Sequence, residues 1–178
     1  MNKKTEVSKY ISYLLRHNPK DLDISKNGFA SINQVLNKVR KKFPEVDREI
    51  LEKITQNGNK RFQIKNNKIR ALYGHSIPVD IELEEIQDED VLYHGTTPKA
   101  AREICRDGLK TKGRQRVHLS SSIDEALRVG KRRCPNPVVL EINVKKAQRE
   151  GVCFSRATNK VVVSDEIPSS CISKKDEN

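Results

Sequence analysis

Phe62-Gln63-Ile64-Lys65-Asn66-Asn67-Lys68-Ile69-Arg70-Ala71-Leu72 holds two short runs in which apolar and polar residues alternate, meeting at Asn66-Asn67. A period of two marks a half-buried strand, and asparagine tolerates the left-handed backbone that a two-residue turn requires. The stretch reads as a β-hairpin, although Asn-Asn is a weaker turn signal than Asn-Gly. Within it Ile69 and Ala71 point one way and Arg70 the other, so alternation alone places Arg70 on a solvated face.

Three helices are read before the hairpin. Val7, Tyr10, Ile11, Leu14 and Leu15 recur at helical spacing, which predicts a helix over Thr5–His17. Pro19 disfavours helical geometry at Asn18, so Arg16 and His17 fall in the last turn, where the helix dipole favours a cation by about 0.3–1 kcal/mol. Ser31, with Gln34 three residues on, has the form of a capping box before Ile32, Val35, Leu36, Val39 and Phe43. Asp47 opens a third helix with Ile50, Leu51 and Ile54, and Asn57-Gly58 reads as its stop. Three helices followed by a hairpin is the order of a winged helix, a module that often binds nucleic acid and sometimes only protein. Gly74-His75-Ser76 follows at once and reads either as a turn or as a close approach of backbone to a ligand.

Residues 81–90 carry six acidic residues and no basic one, and the domain boundary is expected there. Val79, Ile81 and Leu83 alternate with polar residues and read as an edge strand. The expected division is residues 1–80, an acidic connector at 81–90, a second lobe at 91–172 and a disordered tail at 173–178.

The second lobe has a different texture. Val91-Leu92-Tyr93-His94 reads as a strand ending at Gly95-Thr96. Thr97 caps a helix with Pro98 at its first position, and Gly108 ends it. Val117–Ser120, Val138–Val144, Gly151–Ser155 and Val161–Val163 read as strands, and Ser122 caps another helix before Ala126, Leu127 and Val129. The fold class is α+β.

The formal net charge of +11 is split between 17 Lys and Arg against 8 Asp and Glu in residues 1–80, and 18 against 10 in residues 91–178. Positive surplus on both sides of an acidic connector points to a polyanion, with nucleic acid ahead of membrane. No apolar run of membrane-spanning length is present and Met1-Asn2-Lys3-Lys4 does not open a signal peptide, so a cytoplasmic chain is expected. Cys105, Cys134, Cys153 and Cys171 form no Cys-x-x-Cys pair, which disfavours a zinc or dithiol centre.

No phosphate loop, no Gly-x-Gly-x-x-Gly after a strand and no hydrolase elbow is present. His75, His94 and His118 lack the spacing and acidic neighbours of a metal site, and no metal is expected. What stands out is Arg16, Arg70 and Arg114, each beside a structured element, together with His17. The guanidinium fork donates two parallel hydrogen bonds and keeps its charge, which suits a phosphomonoester with its three acceptor oxygens. Spacing leaves open whether these are three unrelated surface arginines.

Leu14-Leu15-Arg16-His17-Asn18-Pro19, Ile69-Arg70-Ala71, Gly74-His75-Ser76, Tyr93-His94-Gly95-Thr96 and Arg114-Gln115-Arg116-Val117-His118-Leu119-Ser120 together resemble the ordered motifs of the NAD-dependent RNA 2′-phosphotransferases. Val163-Ser164-Asp165-Glu166-Ile167-Pro168 resembles that family's closing strand and turn, and the similarity spans roughly residues 5–172. The resemblance implies an N-terminal winged-helix lobe that presents RNA and a C-terminal ADP-ribosyltransferase-like lobe that holds NAD. It assigns the phosphate to Arg16, His17, Arg70 and Arg114, with His75 and Ser76 beside it. It assigns NAD to His94, Gly95, Thr96, His118, Leu119 and Ser120. Arg116 takes neither role. The implied reaction removes an internal RNA 2′-phosphate of the tRNA splice-junction type, through an ADP-ribosylated 2′-phosphate. Its products are 2′-OH RNA, nicotinamide and ADP-ribose 1″,2″-cyclic phosphate. NAD is consumed as a co-substrate, and a monomer is expected.

The chain departs from the pattern at Ala157-Thr158-Asn159 and Lys160, and at Cys153 and Ser155, so no NAD contact is assigned to that region. Asn159-Lys160-Val161-Val162-Val163 lacks the catalytic glutamate of protein-modifying ADP-ribosyltransferases. Two alternatives stand beside this reading: an ADP-ribosyltransferase capping terminal phosphates of RNA or DNA, and a non-catalytic winged-helix RNA binder.

Overall fold

The computed structural model describes residues 3–56 and 61–175, so the expected stop at Asn57-Gly58 lies outside the described residues. The chain divides into two compact units, Met1–Glu82 and Leu83–Asn178.

In the first unit, α1 (Lys3–Arg16) buries Val7, Ile11, Leu14 and Leu15. A short strand β1 (Ala30–Ser31) leads into α2 (Ile32–Lys42), which buries Ile32, Val35, Leu36 and Val39. α3 (Arg48–Gln56) adds Leu51 and Ile54 to the same core. Burying side chains of this size stabilises by roughly 1.5–3 kcal/mol each. Asp47 caps α3 by accepting from the Ile50 N–H at 2.7 Å. Ser31 stands at the N-cap position of α2 but makes no side-chain capping bond. Gln34 instead donates to Asp23 at 2.6 Å, so the expected capping box is not formed.

β2 (Phe62–Lys65) and β3 (Lys68–Ala71) form the hairpin, with Phe62 opposite Ala71, Gln63 opposite Arg70 and Lys65 opposite Lys68. Asn66 and Asn67 have φ of 48° and 59°, the doubly left-handed turn that matches the twist of flanking strands. β1 pairs with the other edge of β3, making β3 the central strand of a three-stranded antiparallel sheet. Ile69, Arg70 and Ala71 are consequently all buried, and the solvated position that alternation gave Arg70 is corrected. The edge strand expected at Val79–Leu83 is absent. Val79 and Ile81 lie against Gly28 instead, and the Asp80 N–H donates to the Lys26 carbonyl at 2.8 Å.

The second unit is built on β4 (Glu84–Glu85), β5 (Val91–Thr96), β6 (Val117–Ser120), β7 (Val138–Asn143), β8 (Phe154–Thr158), β9 (Val161–Ser164) and β10 (Ile172–Lys174). They form one antiparallel sheet in the order β10-β7-β5-β6-β9-β8-β4. Its helices are α4 (Pro98–Asp107), α5 (Ile123–Gly130) and α6 (Val144–Arg149). Thr97 accepts from Ala100 N–H and Ser122 from Glu125 N–H, at 3.2 and 3.3 Å. Leu92, Leu119, Leu140, Ile142, Phe154 and Val162 from the sheet close a core with Ala101 and Ile104 of α4 and Val144 and Ala147 of α6.

Two expectations change here. The acidic stretch is not a free connector: β4 pairs with β8, Ile86 is buried, and Glu89 forms an ion pair with Arg156. Disorder from Ser173 onward begins too early, because Ser173 and Lys174 pair with Glu141 and Leu140.

Candidate functional site

The end of α1 and the segment after β3 build one cluster in the first unit. The Ser76 N–H donates to the Arg16 carbonyl at 3.0 Å, tying residues 73–76 to the helix terminus. Gly74 takes φ +86°, a backbone that side chains resist. A Cβ there would make ordinary contact with Arg16 Nη1 at 3.4 Å, so the positive φ, and not lack of space, is what favours glycine. The Arg16 guanidinium lies over the Tyr73 ring, 4.7 Å from its centroid. His17 Nδ1 and Ser76 Oγ are 3.0 Å apart, which turns the other ring nitrogen of the exposed His17 away from that contact.

Arg70 is the buried member. Its Nε donates to Gln63 Oε1 at 2.7 Å and its Nη1 to the Asn27 carbonyl at 3.1 Å, while its guanidinium stacks 4.5 Å from the Phe29 ring centroid. Among the described residues it makes no ion pair. A buried charge is normally matched by a counter-charge, since its desolvation costs several kcal/mol. The groups that hydrogen-bond the guanidinium, Gln63 and the Asn27 carbonyl, are both neutral. Burial lowers the Arg70 pKa from its ordinary value, with Glu82 acting in the opposite sense, and the group stays cationic.

His75 completes the cluster, with 4% of its surface exposed and its Nε2 buried without a hydrogen-bond partner. Burial, and then the positive charge of Arg16, His17 and Arg70, push its pKa down to about 4. The unfolded chain then takes up the proton first, so stability falls as pH drops from about 6.5 towards 4 and is unaffected above that window. The loss attributable to this one group reaches about 3 kcal/mol. His75→Gln is expected to flatten that acid limb in urea unfolding followed between pH 7 and about 4.5. An equal acid loss in both proteins would place its origin elsewhere.

The second unit holds the other residues. His94 Nδ1 lies 3.0 Å from the His118 carbonyl and donates to it, which fixes the neutral tautomer. Burial is the main cause of a lowered His94 pKa, the His118 carbonyl opposes it, and Arg114, Arg133 and Lys112 lower it further. Arg114 reaches His118 Nδ1 at 3.5 Å. The loop carrying Arg114 is anchored by the closing stretch of the chain. Leu109 and Ile167 exchange backbone bonds, Glu166 accepts from Thr111 N–H at 3.3 Å, and Lys110 pairs with Glu166 at 3.0 Å. Arg116 donates to the Cys153 carbonyl at 3.3 Å and faces Asp165 at 3.6 Å, which gives it an architectural role.

Two assigned residues serve the fold directly. Leu119 is a core side chain, 2% exposed. Gly95 is pressed against α5: a Cβ there would stand 1.7 Å from the Ala126 carbonyl oxygen. Thr96 and Ser120 are buried polar residues at strand ends. Sequence reading missed Tyr73 and Phe29, the rings under Arg16 and Arg70, and also Lys112 and Arg133. Tyr73 stands directly before Gly74-His75-Ser76, which was its one visible cue. Phe29 is remote from Arg70 along the chain and had none.

A family model described as RNA 2′-phosphotransferase, Tpt1 / KptA family matches residues 2–166. The chain belongs to this family. It is 43% identical over 180 residues to a probable RNA 2′-phosphotransferase of Bacillus thuringiensis subsp. konkukian, with 97% of each chain covered. A protein of the same description from Acetivibrio thermocellus is 42% identical, covering 94% of this chain and 95% of its own. One from Pyrococcus horikoshii is 40% identical over 94% of this chain and 97% of its own.

Within the RNA 2′-phosphotransferase frame, the departure at Lys160 has a local explanation. Its ammonium pairs with Glu125 of α5 at 2.6 Å, and Thr158 accepts from the Lys160 and Val161 N–H groups at 3.2 and 3.1 Å. The tip between β8 and β9 is thereby tied to α5. Among the described residues no group of three or more His, Cys, Asp or Glu side chains is placed to hold a metal, and no helix is long and apolar enough to cross a membrane.

Proposed function

We propose that the chain removes a 2′-phosphate from RNA by transferring it to NAD, with a winged-helix first unit and an ADP-ribosyltransferase-like second unit. The observation that carries this reading is the cluster of Arg16, His17, Arg70, His75 and Ser76, in which a buried guanidinium is hydrogen-bonded by neutral groups and Glu82 acts on it without forming an ion pair. A phosphomonoester brings about −1.5 to −2 charge and three acceptor oxygens to such a cluster, where a bridging phosphodiester brings one charge. Family membership supplies the substrate class.

NAD supplies an anomeric carbon with nicotinamide as leaving group. Within the second unit, a neutral His94 with a fixed tautomer offers its Nε2 as an acceptor for a ribose hydroxyl, and Lys112, Arg114 and Arg133 around it suit a pyrophosphate. This donor set fits a dinucleotide. Leu119 contributes through the core its side chain fills, and Gly95 by letting the strand pack against α5.

A 2′-phosphate is already an anion and needs no strong base to act as nucleophile. Arg16 and Arg70 orient it and replace its lost water, and they hold the charge that grows on its oxygens when phosphorus is attacked. His17, its ring oriented by the contact of Nδ1 with Ser76, passes a proton to or from the phosphate or a ribose hydroxyl in this reading.

Incubation with NAD and an RNA bearing one internal 2′-phosphate is expected to release nicotinamide in step with loss of that phosphate. Nicotinamide release that is indifferent to the 2′-phosphate would sink the reading.

A further inference from the structure

The flank of α1 that leads to His17 carries a groove of about 570 Å³ lined by Glu6, Lys9, Tyr10, Tyr13, Lys42 and Phe43. Glu6, Tyr10, Tyr13 and His17 follow one another at spacings of four, three and four, a single stripe beside the buried one. From Tyr10 to His17 the stripe covers about 10 Å of helix. It runs without interruption from the groove into the phosphate cluster.

Three features make this flank a surface for a base rather than spare exposed helix. Tyr13 is 46% exposed, while Tyr10, on the same stripe, packs partly into the core. Its ring is nevertheless fixed, because its hydroxyl accepts from Asn18 Nδ2 at 2.8 Å and its centroid lies 6.4 Å from that of His17. A held aromatic face loses little conformational freedom when a flat partner lands on it. The far wall is cationic: the Lys42 ammonium lies 5.1 Å from the Tyr10 centroid and 5.7 Å from that of Phe43, and Tyr10 and Phe43 meet edge to face at 6.0 Å. Lys9 stands on the same side of the helix. A held aromatic face in a groove that carries two lysines against one carboxylate, Glu6, suits a single strand, by stacking a base and neutralising its phosphate.

We infer that this flank receives the nucleotide next to the phosphorylated one, its base stacked on Tyr13 and its backbone phosphate met by Lys9 and Lys42. The inference rests on the RNA reading above and adds to it a preference for a single-stranded neighbour. A duplex keeps its bases stacked on each other and offers Tyr13 none.

The chain contains no tryptophan, so Tyr13→Trp introduces a single indole at this position. Its emission is expected to be quenched by a trinucleotide carrying a central 2′-phosphate and left unchanged by a nucleoside 2′-phosphate. Tyr13→Ala is expected to weaken trinucleotide binding about tenfold and to leave nucleoside 2′-phosphate binding within about twofold, with Tyr13→Phe between Tyr13→Ala and the parent protein because it keeps the ring but loses the Asn18 bond that holds it. A loss shared equally by both ligands, or a trinucleotide that neither quenches the indole nor distinguishes Tyr13→Ala, overturns the platform. NAD turnover of the parent protein is read separately. Turnover without quenching removes the platform alone, and quenching without turnover keeps the platform while removing the phosphotransferase reading.

Discussion

Arg70→Lys is expected to lower kcat/KM on a 2′-phosphorylated RNA by about 10²–10³-fold while the protein still folds. Arg70 is held in three ways at once: by Gln63 across the hairpin, by the Asn27 carbonyl, and by stacking on Phe29. Those neutral partners fix the plane of the guanidinium and leave its charge for the phosphate. Lysine brings one point charge on a flexible stem, cannot form the two-pronged contact, and is neutralised by burial more readily than arginine. Arg70→Ala is the poorer probe. It strands Gln63 and the Asn27 carbonyl and opens a cavity beside Phe29, at about 2–4 kcal/mol of stability, so lost activity and lost fold become mixed. Steady-state kinetics beside a thermal melt separate the two effects in the lysine variant. A kcat/KM within tenfold of the parent would mean that the fork of Arg70 is not what holds the phosphate.

Gly95→Ala is expected to destabilise the second unit by at least about 3 kcal/mol, at or beyond the usual range for an overpacked site. The added methyl would stand 1.7 Å from the Ala126 carbonyl oxygen and 2.5 Å from its carbon, both backbone atoms that no side-chain rotation can move away. Relief requires α5 to lift from β5, which takes Glu125 and its ion pair with Lys160 along with it. Thermal unfolding read by circular dichroism is the check, with a melting temperature lower by roughly 10 °C. A variant as stable as the parent would mean that α5 does not sit this close to the strand.

The longer elements were legible because each carries its own period. The stripes of α1 and α2, the alternation across Asn66-Asn67 and the caps at Asp47, Thr97 and Ser122 all depend on neighbours in sequence. The elements that escaped are short and depend on partners far along the chain. β1 is two residues completing the edge of β3, and β10 exists through its pairing with β7. The burial of Arg70 was hidden for the same reason. A period of two says which residues share a face, and says nothing of whether a second strand and a distant phenylalanine cover the other face. Ser31-Gln34 shows the converse error, a local motif whose glutamine is drawn off by Asp23. In the site, residue types and order pointed to a phosphate, while the rings under Arg16 and Arg70 became visible only in three dimensions.

The most direct test follows a labelled phosphorus atom placed at an internal 2′ position of an RNA. Without NAD the label is expected to stay on the RNA. With NAD it is expected to leave and to reappear in ADP-ribose 1″,2″-cyclic phosphate, with one nicotinamide released for each phosphate removed. Label recovered as inorganic phosphate in the absence of NAD, or label that never leaves the RNA, would contradict the phosphotransferase reading.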